Sequence, residues 1–317
     1  MGVRRQSGAQ AWLLGTLACV VGLAGCAPER FLSTNSGVQR DIRGVHAVQD
    51  DTFWMVGSAG LVLKFADGEF VDTSTDADPG PRVSDLYDVT DLRGELVIVG
   101  DGGLVLRADG LEFPADDNRD TERLRTVFRA GPRTLFAGGD LGRVRRRDED
   151  AARWRGVSAG AGDARVTGGW GISEASVVLC TDEGTIIERV DDDWVSQTVV
   201  TETSTVPLPL FSVWSSTAGA DLITVGLGGS IFRRAAGEDT WAQEPSGVRQ
   251  DLYGLYGTGP DDVFAVGARG TILHYDGTGW SGLPSSTARD LFTVTGSLDG
   301  RTVVAAGASG AVVVLRR

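Results

Sequence analysis

A glycine–x–x–glycine turn between two apolar runs recurs through this 317-residue chain in seven copies, one of which begins with threonine, and that recurrence constrains the fold more than any other feature. The copies read "MVGSAGLVLKF", "IVGDGGLVLRA", "AGGDLGRVRRR", "LCTDEGTIIER", "TVGLGGSIFRR", "AVGARGTILHY" and "AAGASGAVVVL". The first turn position falls at Gly57, Gly100, Gly139, Thr181, Gly226, Gly267 and Gly307, at intervals of 43, 39, 42, 45, 41 and 40 residues. The second is glycine every time: Gly60, Gly103, Gly142, Gly184, Gly229, Gly270 and Gly310. Glycine enters positive φ without steric cost, so one tight hairpin geometry is demanded seven times.

A β-favouring run precedes each turn, from "FWMV" to "TVVAA". Another short strand begins 14–16 residues before the turn, as in "IRGV", "LYDV" and "LFSVW". In six copies an aromatic follows the second glycine by 10 or 12 residues: Phe70, Phe113, Trp154, Trp194, Trp241 and Trp280. An even difference preserves hairpin parity. Each unit therefore reads as four antiparallel strands in about 42 residues, the size of one propeller blade. The prediction is an all-β, seven-bladed β-propeller over residues 29–317. The seventh copy stops at "VVVLRR" without its fourth strand. "RFLSTNSGVQRDIRGV" near the N-terminus parallels "TWAQEPSGVRQDLYGL" (240–255), with Phe31 where Trp241 stands. Residues 29–36 are expected to supply the outer strand of the last blade, which removes its exposed edge.

Residues 1–10 carry Arg4 and Arg5 and no acid, and the 15-residue apolar run "AWLLGTLACVVGLAG" follows. That length suits a signal-peptide core and falls short of the about 20 residues that cross a bilayer. The run ends in Leu23-Ala24-Gly25-Cys26, which resembles the bacterial lipobox. The resemblance implies that residues 1–25 are a removed signal peptide and that Cys26 is acylated. Residues 26–28 then form a short tether, and Ala27 after the cysteine points to the outer membrane. Each buried CH₂ is worth about 0.8 kcal/mol, so several acyl chains make a lasting anchor.

The run "VFAVGARGTILHYDGTGW" resembles the propeller repeats of photosystem II stability/assembly factors and the wider Asp-box (BNR) group. The resemblance covers all seven repeats and is strongest around residues 250–280. Asp276, Gly277 and Trp280 match the end of an Asp-box, and its serine position is absent. Less closely, the repeats resemble those of the lipid-anchored propeller of the outer-membrane β-barrel assembly machinery. These likenesses imply the fold, and propellers host unrelated activities.

Composition narrows the function by exclusion. The net charge of −13 argues against nucleic acid, whose phosphates need clustered positive charge. Of three cysteines only Cys180 lies in the propeller, which leaves no internal disulfide. Cys180 occupies a position held elsewhere by small apolar residues, so it reads as core. "GVSAG" (156–160) matches a nucleophile elbow in letters, but that motif needs a strand-to-helix turn in a parallel sheet. His274 reads as a solvent-facing strand residue, and His46 as following an inner strand near a central channel. Neither pairs with a nucleophile. The runs Asp148-Glu149-Asp150 and Asp191-Asp192-Asp193 read as hairpin tips without calcium-loop spacing, and "RVRRR" (143–147) as a solvated strand. No catalytic residue, metal site or cofactor is expected.

Recognition is therefore placed on the loops. The residues between the paired glycines share one frame on a rigid scaffold, and Asp101, Asp140, Asp182, Glu183 and Arg269 are the candidate recognition face. The expectation is a monomeric, non-enzymatic platform for an envelope protein, held to the membrane through Cys26. Two alternatives stand beside it. A glycan-binding propeller would need accessible aromatics at Trp54, Trp170 or Trp214. A polysaccharide hydrolase or lyase of sialidase-like architecture would need converging carboxylates or arginines.

Overall fold

In the computed structural model, which describes residues 30–74, 84–108, 121–201, 205–216 and 221–317, the seven units form the seven blades of a β-propeller. The chain enters at β1 (Leu32–Asn35) and then builds the first blade from β2 (Ile42–Gln49), β3 (Thr52–Gly57), β4 (Leu61–Ala66) and β5 (Glu69–Asp72). The second contains β6 (Leu86–Leu92), β7 (Glu95–Gly100) and β8 (Val105–Ala108); its outer strand, expected around Phe113, lies outside the described residues. The third comprises β9 (Leu124–Arg129), β10 (Thr134–Gly139), β11 (Val144–Asp148) and β12 (Arg155–Val157). The fourth comprises β13 (Val166–Ser173), β14 (Ser176–Thr181), β15 (Thr185–Val190) and β16 (Asp193–Thr198). The fifth has β17 (Leu210–Ser215), β18 (Leu222–Gly226), β19 (Ile231–Arg234) and β20 (Ala242–Glu244). The sixth has β21 (Leu252–Gly259), β22 (Asp262–Gly267), β23 (Ile272–Tyr275) and β24 (Trp280–Gly282). The last combines β25 (Leu291–Gly296), β26 (Thr302–Gly307) and β27 (Ala311–Arg316) with β1. No α-helix occurs among the described residues.

β1 pairs antiparallel with β27, Leu32 opposite Val314 and Asn35 opposite Ala311, which is the closure expected from residues 29–36. Phe31 is buried at the seam with the sixth blade, and its N–H donates to the Pro284 carbonyl (3.1 Å). Residues 1–28, the expected signal peptide, Cys26 and tether, lie outside the described residues.

The core sits between blades. One face of β3 and β4, carrying Phe53, Met55, Leu61 and Leu63, packs on Val304, Ala306 and Val312 of the last blade. Trp54, Val56 and Val62 on the other face meet Leu86, Ile98 and Leu106 of the second. A sheet buried on both faces needs apolar residues without alternation, which is why the third strand reads "TFWMVG".

Where both turn positions are glycine, as in six of the seven turns, the two are needed for different reasons. Gly57 is extended, and a Cβ there would stand 1.8 Å from the Asp41 carbonyl oxygen at the start of the same blade. Gly310 has φ +71°, and its Cβ would meet the Val38 carbonyl of the first blade at 2.2 Å. The first glycine thus allows close approach within a sheet, the second close approach between sheets.

Candidate functional site

Every inner strand carries a β-bulge at its second residue. In the first blade Ile42 pairs with Gly57 and Gly44 with Val56, so Arg43 is left out of the ladder. The same step omits Tyr87, Arg125, Thr167, Phe211, Tyr253 and Phe292 in the other six. A bulge frees a residue from the pleat and re-aims it. Here the seven omitted side chains, all half-buried, ring one mouth of the central channel, a cavity of about 670 Å³ lined by all seven inner strands. Beneath them Val45, Val89, Val127, Val213, Leu255 and Val294, all buried, form an apolar collar.

The ring has two halves. On the first three blades the guanidinium carbons of Arg43, Arg123 and Arg125 lie 4.9, 5.2 and 5.7 Å from the centre of the Tyr87 ring. Their charges are answered locally: Arg43 pairs with Asp85 (3.2 Å), Arg123 with Asp101 (2.6 Å) and Arg125 with Asp140. Tyr87 also donates its hydroxyl to Asp101 (3.2 Å). Burial first, and the Asp101 carboxylate second, push the Tyr87 phenol up. On blades five to seven stands an aromatic arc, Phe211 5.5 Å from Tyr253 and Tyr253 5.9 Å from Phe292.

The candidate residues between the paired glycines lie at this mouth's rim, in the turns that face the blade junctions. Asp101 and Asp140 are the partners of Arg123 and Arg125, and Asp182 accepts the Arg165 N–H and Nε (2.8 and 2.6 Å). Glu183 is exposed. Arg269 sits at φ +57°, its side chain exposed and its N–H donated to Asp290 (2.8 Å). The sequence reading missed a neighbouring set, Asp41, Asp85, Asp251 and Asp290. Each accepts an N–H from the turn of the preceding blade: Ser309, Ala59, Gly228 and Arg269, at 2.7–2.9 Å. The signal was present as an aspartate just before the inner strand in "RDIRG", "SDLYD", "QDLYG" and "RDLFT".

Deeper in the wall, Asp88 accepts the N–H groups of Val89 and Val127 (both 2.9 Å) and the Thr126 hydroxyl (3.1 Å), tying the second blade to the third. Burial raises its carboxyl to about 6 despite those donors. Beyond the collar Asp91 joins His46 Nε2 (2.8 Å) and Arg129 (3.5 Å) across three blades. The His46 hydrogen bond is the leading cause that holds the Asp91 carboxyl near about 2.

Several expectations need correction or detail. His46 lies within β2, which runs to Gln49 rather than stopping before it. His274 is not solvent-facing: it stacks on Phe264 at 4.6 Å and bonds Asp262 at 2.7 Å. In "RVRRR" Arg147 is buried, so that strand is only partly solvated. "GVSAG" spans the end of β12 and an irregular loop, with no helix to lift a serine. Cys180 is fully buried, its thiol pushed up to about 12 by burial. Trp54 and Trp214 are buried in separate inter-blade cores, and Trp170 is half-buried against Trp214, so none is a free sugar platform. Among the described residues no three histidine, cysteine or acidic side chains converge on a metal-sized site.

The fold and ring define a seven-bladed β-propeller built around one decorated channel mouth. Solved structures of that class align over nearly the whole chain. YCF48 from Cyanidioschyzon merolae has a TM-score of 0.73 at 13% identity, covering 90% of this chain and 99% of that one. YCF48 bound to D1 peptide has a TM-score of 0.73 at 14% identity, covering 96% and 100%. The WD40 propeller domain of Doa1 has a TM-score of 0.70 at 16% identity, covering 92% and 97%. No protein-family model matches the chain, and no curated protein sequence matches it.

Proposed function

We propose that this protein is a lipid-anchored propeller of the bacterial outer membrane that docks a partner protein at the bulge-ringed mouth and performs no catalysis. The observation that carries the reading is the sevenfold bulge, which aims one side chain per blade at a single opening while hydrogen-bonded turns fix the frame. The mouth opens past the collar of valines and Leu255 into one cavity that is lined as far as Asp299 and Gly300. An opening of that kind suits an extended segment or chain end of a partner. A solved propeller of similar shape is YCF48 bound to D1 peptide, and WD40 propellers share the architecture, which supports a protein partner. The anchor rests on the signal core ending in Leu23-Ala24-Gly25-Cys26.

Crosslinking and pull-down of the tagged protein from detergent-solubilised envelopes tests both parts. One or two proteins recovered near stoichiometry, and lost with the pair Phe211→Ala and Phe292→Ala, are the expected result. Capture unchanged by that pair removes the mouth from the reading, and no enriched protein removes docking. A Cys26→Ser form that still fractionates with membranes overturns the anchor.

A further inference from the structure

The two halves of the ring hold the same residue type in different company. Tyr87 has three guanidinium groups within 6 Å of its ring centre and three aspartates that neutralise them. Tyr253, at the equivalent bulge of the sixth blade, stands between the rings of Phe211 and Phe292, tilted to them by 52° and 59°. Asp251 and Asp290 stand beside it, close enough that their carboxylates add to burial in raising its phenol. Both spend one oxygen on a turn N–H, and among the described residues neither makes an ion pair. No described cation lies over any of the three rings. Arg289, next in sequence to Asp290, turns its guanidinium to the Ser309 carbonyl (2.8 Å), and Arg249 and Arg269 are exposed at the rim. The blades-five-to-seven side is therefore an arc of three half-buried aromatic rings with two carboxylates beside it.

We propose that the pocket framed by Phe211, Tyr253 and Phe292 binds a cationic side chain, lysine or arginine, presented by a partner protein. The negative quadrupole of each ring face attracts a cation, and desolvation in a half-buried site strengthens the attraction. Asp251 and Asp290 add charge complementarity and favour the cation over a neutral group of equal size. The first half of the ring shows the same chemistry completed internally, three arginines on Tyr87. That the cation arrives on a protein rests on the docking reading above; the pocket's preference for positive charge does not.

The test uses full-length protein in detergent with ¹³C-labelled tyrosine, the Tyr253 signal being identified by its loss in Tyr253→Phe. Tetramethylammonium, which has no hydrogen-bond donor, is titrated at constant ionic strength against its neutral counterpart tert-butanol. A saturable shift of the Tyr253 signal with tetramethylammonium alone is expected. In Asp251→Asn with Asp290→Asn the half-saturation concentration should rise by about fivefold or more. Asparagine retains the acceptor for the Gly228 and Arg269 N–H groups, so this variant keeps its fold, and an unchanged melting temperature confirms it. Phe211→Leu with Phe292→Leu should weaken binding similarly. Equal shifts with tert-butanol, or tetramethylammonium binding unchanged in both variants, overturn the proposal. Partner capture that depends on this mouth without tetramethylammonium binding would sink the cation pocket and leave docking standing. The reverse pattern would leave the pocket and remove docking.

Discussion

Phe31 stands edge-on to Phe264 of the sixth blade, ring centroids 6.0 Å apart and planes at 77°. Phe264 also carries the guanidinium of Arg317 at 4.7 Å. Arg317 in turn makes two hydrogen bonds to Asp262, 2.7 and 2.9 Å. Segments from opposite ends of the propeller thus converge on one strand of a blade that neither end belongs to. Closing a ring of sheets removes the exposed edges that otherwise invite aggregation.

Phe31→Ala should therefore be among the costliest truncations in the chain, about 3–5 kcal/mol, because a fully buried ring is removed from a seam that cannot collapse freely. Leu32→Ala on the same strand should stay within about 0.5 kcal/mol, since Leu32 is 53% exposed. Urea unfolding of both variants checks the contrast. Equal midpoints would mean that the N-terminal strand contributes little to closure.

The blade count was legible because two steric demands recur at fixed spacing. Gly57 has no room for a Cβ and Gly60 sits at positive φ, and glycine recurs at the second position in all six further copies and at the first in five of them. The closure strand was legible for a similar reason: Phe31 occupies the register of Trp241. The decorated mouth was not. Arg43, Tyr253 and Phe292 read as ordinary strand residues, and a bulge shows only when the ladder on both sides of it is known. The aspartates in the turns were visible as charges, but their arginine partners lie a blade away or across a strand pair. Asp101 and Arg123 are 22 residues apart, so sequence alone left Asp101 looking free. His274 misled in the opposite direction. Its register matches Lys64 and Arg107, yet the neighbouring Phe264 and Asp262 draw it inward.

Gly57→Ala tests the first glycine of the motif. Its new methyl would lie 1.8 Å from a backbone oxygen, so the cost should reach the upper end of the about 1–3 kcal/mol typical of overpacking. Gly282→Ala, with nothing within 4 Å of the added carbon, should cost no more than about 0.5 kcal/mol. Denaturant midpoints of the two variants measure the difference. A mild Gly57→Ala would show that the Asp41 strand start can retreat.

Cys180 should be inert in the native protein. The thiolate is the reactive form, and a fully buried thiol pushed up to about 12 supplies almost none of it at neutral pH. A thiol reagent should modify it only on unfolding, with Cys180→Ser identifying the signal. Rapid labelling of native protein at pH 8 would show that the fourth blade opens at the Val166–Thr181 ladder end.

Asp88 gives the pH dependence its sign. Its folded carboxyl titrates at about 6, above the ordinary 3.8, because burial at the blade junction penalises the charge more than its three donors relieve it. The folded state therefore binds the Asp88 proton more tightly than the unfolded state does. Its stabilising contribution is complete below pH 3.8 and is lost as pH rises through 6, by up to about 3 kcal/mol. Asp91 works in a different window. Its carboxyl is held near about 2, so its contribution is present above pH 3.8 and disappears only as pH falls towards 2. Between pH 4 and 7 the two effects separate cleanly. Asp88→Asn removes the titration while retaining a side-chain oxygen for the Val127 N–H, so its stability should gain on the parent protein from pH 4 to about 6 and level off above that. Unfolding free energies at half-unit pH steps measure the gap, and a gap that stays constant would mean that Asp88 is as well solvated folded as unfolded.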